Sequence, residues 1–270
     1  MPTTFRRSSL LAAVSVLTLI AACAPAAVPA TATSSTLRVV SYNIRHGRGN
    51  DERVDLERTA GVLRAQQPDI IALQEVDERV QRSGSVTQAD SLGKLLGMYA
   101  AFGSFFDYQG GQYGMGILSR HPIVAVNPIR LPDGNEPRIA LMVKIALPGA
   151  DTIAVVDVHF DWVSNDSFRF AQASKLASIL DTLRTPYILL GDFNDQPGSR
   201  TLGLFTSRAT EARKPRNAHF TFPSAPEPVK EIDFIFTAPA NAWAVGGVRV
   251  IDERVASDHR PVRAELRRVR

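Results

Sequence analysis

Cysteine is almost absent: Cys23 is the only one in 270 residues, so no disulfide joins two parts of this chain. The folded part must therefore be held by packing alone, and thiol chemistry and cysteine-bound zinc are excluded from it. Long apolar runs are scarce too. The longest, Leu10 to Ala22, is too short for a comfortable membrane-spanning helix. Charge of one sign is also lacking. With Arg6 and Arg7 set aside, 29 basic residues face 27 acidic ones, a net +2, which is far from the basic stripe of a nonspecific nucleic-acid binder. Arg267-Arg268-Val269-Arg270 is the one basic cluster and reads as a solvated tail. The glycines of Gly110–Gly116 match no dinucleotide or phosphate-loop spacing and read as a flexible entry to a strand, with turn chemistry that allows close backbone approach.

What is present begins with an export pattern. Arg6 and Arg7 precede the apolar run, which ends in Leu19-Ile20-Ala21-Ala22-Cys23. This resembles the lipobox of bacterial lipoproteins, in which the cysteine becomes the lipidated first residue; ordinary cleavage near Ala22-Cys23-Ala24 is the alternative. Residues 1–23 are accordingly expected to be a signal, 24–36 a flexible Ala/Pro/Ser/Thr tether, and 37–270 one folded domain. The expected location is the bacterial cell envelope, periplasmic or extracytoplasmic, with a membrane partner reached through lipidated Cys23.

With 44% hydrophobic residues the remainder buries a sizeable core, and its pattern is α/β. Strands are expected at 37–42, 70–73, 117–119, 139–146, 152–161, 187–190, 229–236, 244–251 and 262–266. Helices are expected from Asp55 to about Gln67, over 88–96, and from a cap at Ser164 or Asn165 to Leu183, the last burying Phe168, Ala171, Leu176, Ile179, Leu180 and Leu183. The first strand, helix and strand predict a parallel crossover that brings Asn43 and Glu75 to one sheet edge. By period two, Asp157 and His159 share a strand face with Ile153 and Val155. The stretch 208–228 reads as a polar surface loop near the site mouth.

Chemistry-bearing side chains recur at strand ends: Asn43, Glu75, His159, Asp192 and Asn194, Asp233, and the pair Asp258-His259. Glu75 and Asp258 are hard oxygen ligands suited to Mg²⁺ or Mn²⁺. Asp192 is placed to accept a proton from water, Asn43 and Asn194 to orient water or phosphate, and His259 to donate, with Asp233 orienting its ring. Taken singly, each is as readily a loop end or a satisfied half-buried residue; six at strand ends point to one shared rim.

The ordered set Ser41-Tyr42-Asn43, Leu73-Gln74-Glu75-Val76, Val158-His159, Gly191-Asp192-Phe193-Asn194, Ile232-Asp233-Phe234 and Ser257-Asp258-His259-Arg260-Pro261 resembles that of the endonuclease/exonuclease/phosphatase superfamily, over about 37–266. The resemblance implies a four-layer α/β sandwich, two mixed β-sheets face to face with helices outside, and metal-dependent hydrolysis of a phosphate ester. It assigns Glu75 as metal carboxylate with Asn43 as its partner and Asp258 near the metal, Asp192 and Asn194 to water and phosphate, and Asp233 to orient His259. His159 resembles the histidine proposed in the nuclease and sphingomyelinase branches to assist the leaving group or phosphate, with Asp157 a weaker candidate to orient it. Arg138, in the turn Gly134–Arg138, either reaches substrate or is a solvated turn residue. No inserted basic helix and no obvious hydrophobic hairpin is seen; Ala101–Phe106 is the nearest apolar cluster and reads equally well as core.

The expected activity is cleavage of a phosphodiester, nucleic acid or phospholipid headgroup, by a monomer using Mg²⁺ or Mn²⁺. A phosphomonoesterase acting on a phosphorylated sugar or inositol, and a non-catalytic binding lipoprotein, are the alternatives.

Overall fold

The computed structural model describes residues 1–4, 36–149 and 151–269. The signal, lipidation and tether readings, Cys23 included, lie outside the described residues. Strand β1 (Thr36–Asn43) is followed by α1 (Leu56–Ala65), β2 (Ile70–Glu78), α2 (Gln88–Leu96), β3 (Tyr99–Tyr108), β4 (Gly111–Ser119), β5 (Ile123–Arg130), β6 (Ile139–Leu147) and β7 (Asp151–His159). The chain continues through α3 (Ser167–Leu180), β8 (Tyr187–Asp192), α4 (Arg200–Thr206), β9 (Thr210–Glu211), β10 (Asp233–Ala238), β11 (Trp243–Val250) and β12 (Val262–Arg268).

These strands form two six-stranded sheets, ordered β11-β12-β1-β2-β4-β3 and β5-β6-β7-β8-β10-β9. Each has one parallel pair, β1 with β2 and β7 with β8, amid antiparallel neighbours. Three apolar layers give the stacking order. Val39, Ile70, Ile117, Leu141, Val155 and Leu190 pack between the sheets. Val40, Leu73, Leu63 and Leu92 lie under α1 and α2, and Val156, Leu189, Leu176 and Phe205 under α3 and α4. The result is helix, sheet, sheet, helix, as an alternating pattern requires when each strand buries both faces.

Strand geometry explains why the chemistry gathers at one rim. A parallel pair needs a crossover, so both members run the same way and end on the same edge. Asn43 ends β1 beside Gln74, and His159 ends β7 beside Asp192, its partner in register. Asp233 begins β10 opposite Asp192.

Several expectations are corrected. Gly111–Ser119 is a full strand between β2 and β3, so its glycines are not a flexible entry; a Cβ on Gly114 would stand 1.9 Å from the Gly103 carbonyl oxygen, which is the close approach that demands glycine. Helix α3 begins after Asp166, whose side chain makes no capping bond; Asn165 Oδ1 accepts the Ser167 N–H at 3.0 Å, and the helix ends at Leu180 rather than Leu183. Phe168 is exposed and the inner face carries Arg169 and Gln172, because these bind the backbone near Asp161. Strands β3, β5 and β9 and helix α4 form where the sequence pattern predicts no element. Ala101 and Phe105, from the apolar cluster, belong to the layer between the sheets. Within 208–228, Lys214, Thr221 and Ser224 are buried, so that stretch is only partly a surface loop. Arg268 is also no free tail residue: it pairs with Asp151 at 3.2 Å and lies over the Trp243 ring.

Candidate active site

A cavity of about 510 Å³ opens where the two parallel pairs end, lined among others by Glu75, Arg138, His159, Asp192, Asn194, Asp258 and His259. Asp192 is its centre. Gly191, with φ 145°, delivers it; a Cβ there would meet the Val158 carbonyl oxygen at 2.0 Å, so only glycine lets β8 lie this close to β7. Asp192 Oδ1 accepts the Asn194 backbone N–H at 2.9 Å and Oδ2 accepts Asn43 Nδ2 at 3.2 Å. The Nε2 atoms of His159 and His259 both stand 3.6 Å from that same Oδ2. Burial, aided by Asp233, raises the Asp192 carboxyl to about 7 against the opposing charge of His259.

The two imidazoles are held in opposite states. His259 Nδ1 donates to Asp233 Oδ2 at 3.0 Å. Burial alone would lower this histidine, but Asp233 and Asp192 outweigh it and raise it to about 10, so the ring is a cation at neutral pH. His159 is pushed well below its ordinary value by burial, then by Arg138 and His259. Arg138 Nη1 lies 3.3 Å from His159 Nδ1, and a guanidinium only donates, so Nδ1 carries the lone pair and Nε2 the proton.

Arg138 is thus not a solvated turn residue. It is buried, lines the cavity, bonds Glu136 through Nη2 at 2.9 Å, and leaves Nε without a partner. Asp157 does not orient His159. Its Oδ1 accepts Gln74 Nε2 at 2.6 Å, and burial raises its carboxyl well above the ordinary range.

Glu75 is the bulged residue of β2, where the register against β4 shifts between Gln74 and Val76, and its φ of 57° is left-handed. Such a conformation in a non-glycine residue costs about 1–3 kcal/mol, and the bulge turns its side chain to the cavity. Oε1 accepts Asn43 Nδ2 at 3.1 Å. Burial and the charge of Asp258 both raise the Glu75 carboxyl, so a nearby cation would be welcome. Asp258 lies 3.8 Å from Arg45 Nε. Its neighbour Ser257 ties the motif to β1: the hydroxyl donates to the Asn43 carbonyl at 2.7 Å and accepts the His259 N–H at 3.2 Å.

The donor set fits a hard divalent cation, since Glu75 and Asp258 present carboxylate oxygens to one cavity and burial, then the Asp258 charge, raise the Glu75 carboxyl. Asn43 is less free than the sequence suggested. Its Oδ1 already accepts the Arg45 N–H at 3.1 Å and its Nδ2 bridges Glu75 and Asp192, so here it draws two carboxylates together. Ligand atoms of Asp192, Asp233 and His259 also lie within 4.8 Å of one another. The 3.0 Å bond and the raised imidazole make that group a proton-holding cluster first. Asn194 spends one amide hydrogen on the Phe160 carbonyl, keeping one for the cavity it lines.

Local sequence did not single out Trp162, Arg169, Phe222 or Lys230, all of which line the cavity. The signals were faint: one of two tryptophans just after a strand, a polar residue where a helix should be apolar, and loop residues far along the chain.

A two-sheet α/β sandwich with an acid- and histidine-lined cavity at one rim is the class that fold and site define. The chain matches the model of the Endonuclease/Exonuclease/phosphatase family over residues 40–259, and belongs to that family, whose members are phosphoesterase hydrolases. It is similar to the uncharacterized protein YbhP of Escherichia coli (strain K12), 28% identical over 86% of this chain and 96% of that protein. Among solved structures, the endonuclease/exonuclease/phosphatase from Beutenbergia cavernae is 25% identical, covering 86% of this chain and 72% of that one, with a TM-score of 0.69. A mannosyl-6-phosphatase of Bacteroides thetaiotaomicron shares the fold at 21% identity and a TM-score of 0.69, over 85% of this chain and 99% of that one.

Proposed function

We propose that the chain hydrolyses a phosphodiester with the help of Mg²⁺ or Mn²⁺. The observation that carries this is the convergence of a neutral and a cationic histidine on one oxygen of Asp192. When bound, the metal would supply charge neutralisation at the phosphoryl oxygens, and Glu75 and Asp258 are the residues that would hold it. Asp192, raised to about 7, accepts the proton of an attacking water near neutral pH. His259, charged and fixed by Asp233, donates to a phosphoryl oxygen, and His159 offers a neutral Nε2–H beside it. Arg138 adds a buried cation and Asn194 an amide hydrogen. Nucleic acid and phospholipid headgroups are both diesters of this kind.

The cavity, about 510 Å³, is a half-open pocket with histidines and a buried guanidinium in its wall, and it admits a terminal phosphate as well, which is the second reading. Bis(p-nitrophenyl) phosphate and p-nitrophenyl phosphate, each with Mg²⁺, Mn²⁺ or EDTA, separate the two. Metal-dependent release from the diester, lost in His259→Ala, is the expected result; release from the monoester alone would replace the diesterase, and release from neither would leave a binding protein.

We also propose export and lipidation at Cys23. What supports it is the order of Arg6 and Arg7, the apolar run and Leu19-Ile20-Ala21-Ala22-Cys23; among the described residues no helix is long and apolar enough to cross a membrane. Incorporation of labelled palmitate by the full chain, lost in Cys23→Ala, tests it; an unlabelled wild-type protein would refute it.

A further inference from the structure

Trp162 is 59% exposed, yet it stands on some of the most firmly held backbone of the site. Arg169, buried on α3, donates from one nitrogen to the carbonyls on both sides of it, Asp161 O at 2.9 Å and Val163 O at 3.0 Å. Gln172 accepts the Asp161 N–H at 2.9 Å, and the Asp161 side chain accepts the N–H groups of Val163 at 3.1 Å and Asn135 at 2.6 Å. A tryptophan left in water on a fixed backbone, three residues past His159 and lining the same cavity, has no packing purpose to explain it: among the described residues no ring partner is found for its indole. Such a surface suits a ring laid flat against it.

The surroundings select the kind of ring. The wall of the cavity that Trp162 lines also carries Glu136, Asp195 and Gln196, groups that bond hydroxyls. Its cations are mostly engaged: Arg138 with Glu136 and Arg169 with Asp195, leaving Lys230 as the lining cation with no acidic partner among the described residues. A nucleic-acid strand needs several phosphates neutralised in a row, and among the described residues that line this cavity there is no such track. A neutral, hydroxyl-bearing ring matches both the indole face and the polar wall.

Resting on the phosphoesterase reading above, we propose that Trp162 is the platform for a sugar ring esterified to the scissile phosphate, so the natural substrate is a phosphorylated hexopyranose or its diester.

The chain has two tryptophans, and Trp243 is buried with its indole N–H bonded to the Ala238 carbonyl, so ligand-dependent fluorescence reports Trp162. Binding is read in the Asp192→Asn protein with Mg²⁺, using the 6-phosphates of glucose, mannose and galactose against glycerol 3-phosphate and thymidine 5′-phosphate. A saturable spectral change with at least one hexose phosphate, absent with glycerol 3-phosphate and retained in a Trp243→Phe background, is expected. Turnover is read on the methyl diesters of the same compounds by phosphorus NMR. Trp162→Ala should lower the ratio of kcat/KM between the hexose and glycerol diesters about 10- to 100-fold, and Trp162→Phe should restore part of it. An unchanged ratio, or a response to thymidine 5′-phosphate without any to the hexoses, overturns the sugar platform. If no ester is hydrolysed, the phosphoesterase reading fails instead, while the fluorescence result still decides whether Trp162 receives a sugar.

Discussion

Gln74 Nε2 donates to Asp157 Oδ1 at 2.6 Å, joining β2 of one sheet to β7 of the other across an otherwise apolar layer. Gln74 Oε1 and Asp157 Oδ2 have no partner. Burial holds the Asp157 carboxyl well above its ordinary 3.8, so the folded protein binds a proton that the unfolded chain releases. Stability should therefore fall as pH rises above the unfolded value. Asp157→Asn removes the titration and gives Gln74 Oε1 a donor. The variant should match the wild type in acid and gain about 1–2 kcal/mol on it by pH 7 in urea unfolding, with the gap widening from about pH 4 upward. A gap of constant size across that range would show that Asp157 does not titrate there.

Asp233→Asn should reduce kcat by about 10²–10⁴ with the fold intact by circular dichroism. His259 is useful while protonated, a state lost as pH rises through about 10 in the wild type. Without the Asp233 charge that limb of the pH–rate profile should move toward neutrality. An unmoved limb would mean that another group sets it.

For Gly191→Ala, both the φ of 145° and the 2.0 Å approach to Val158 O oppose a side chain. A loss above about 3 kcal/mol in denaturant unfolding is expected, with activity gone. A well-folded, active variant would show that β7 and β8 can separate at this point.

Glu75→Gln keeps the hydrogen bond from Asn43 feasible but removes the charge. The Mg²⁺ concentration for half-maximal activity should rise at least about 10-fold, and stabilisation of the protein by Mg²⁺ in thermal unfolding should shrink in parallel. Equal metal dependence in both proteins would take Glu75 out of the metal site.

Most of the rim was legible because its residues sit next to strongly apolar runs, and such runs are read from local pattern. Asn43, His159 and Asp192 end their strands, while Glu75 follows the apolar run Ile70–Leu73 but sits at a bulge inside β2. What local pattern cannot show is a contact such as Asn43 to Asp192, 149 residues apart, or the inward turn of Arg138 from a Gly-Asn-Glu-Pro stretch that reads as a solvent turn. The same holds for elements that break the usual rules for good reason. Strand β5 contains Pro128 and is mostly exposed, which an edge strand tolerates and a sequence reading demotes. Helix α3 buries Arg169 and Gln172 to serve a loop, so its inner stripe is not the apolar one expected. Asp157, two residues from His159 on one strand face, looked like its partner; the opposite sheet claimed it first.

Strand β1 is flanked on one side by β12, with Thr36 opposite Arg267 in register. The first strand of the fold therefore waits for the last. Until β12 is in place, that edge of β1 has no neighbour, and until the segment before it docks, Ser257 cannot fasten the Asn43 carbonyl. The sheet closes only once β12 is available to β1, so the domain folds as one unit through a contact between segments far apart in sequence rather than piece by piece.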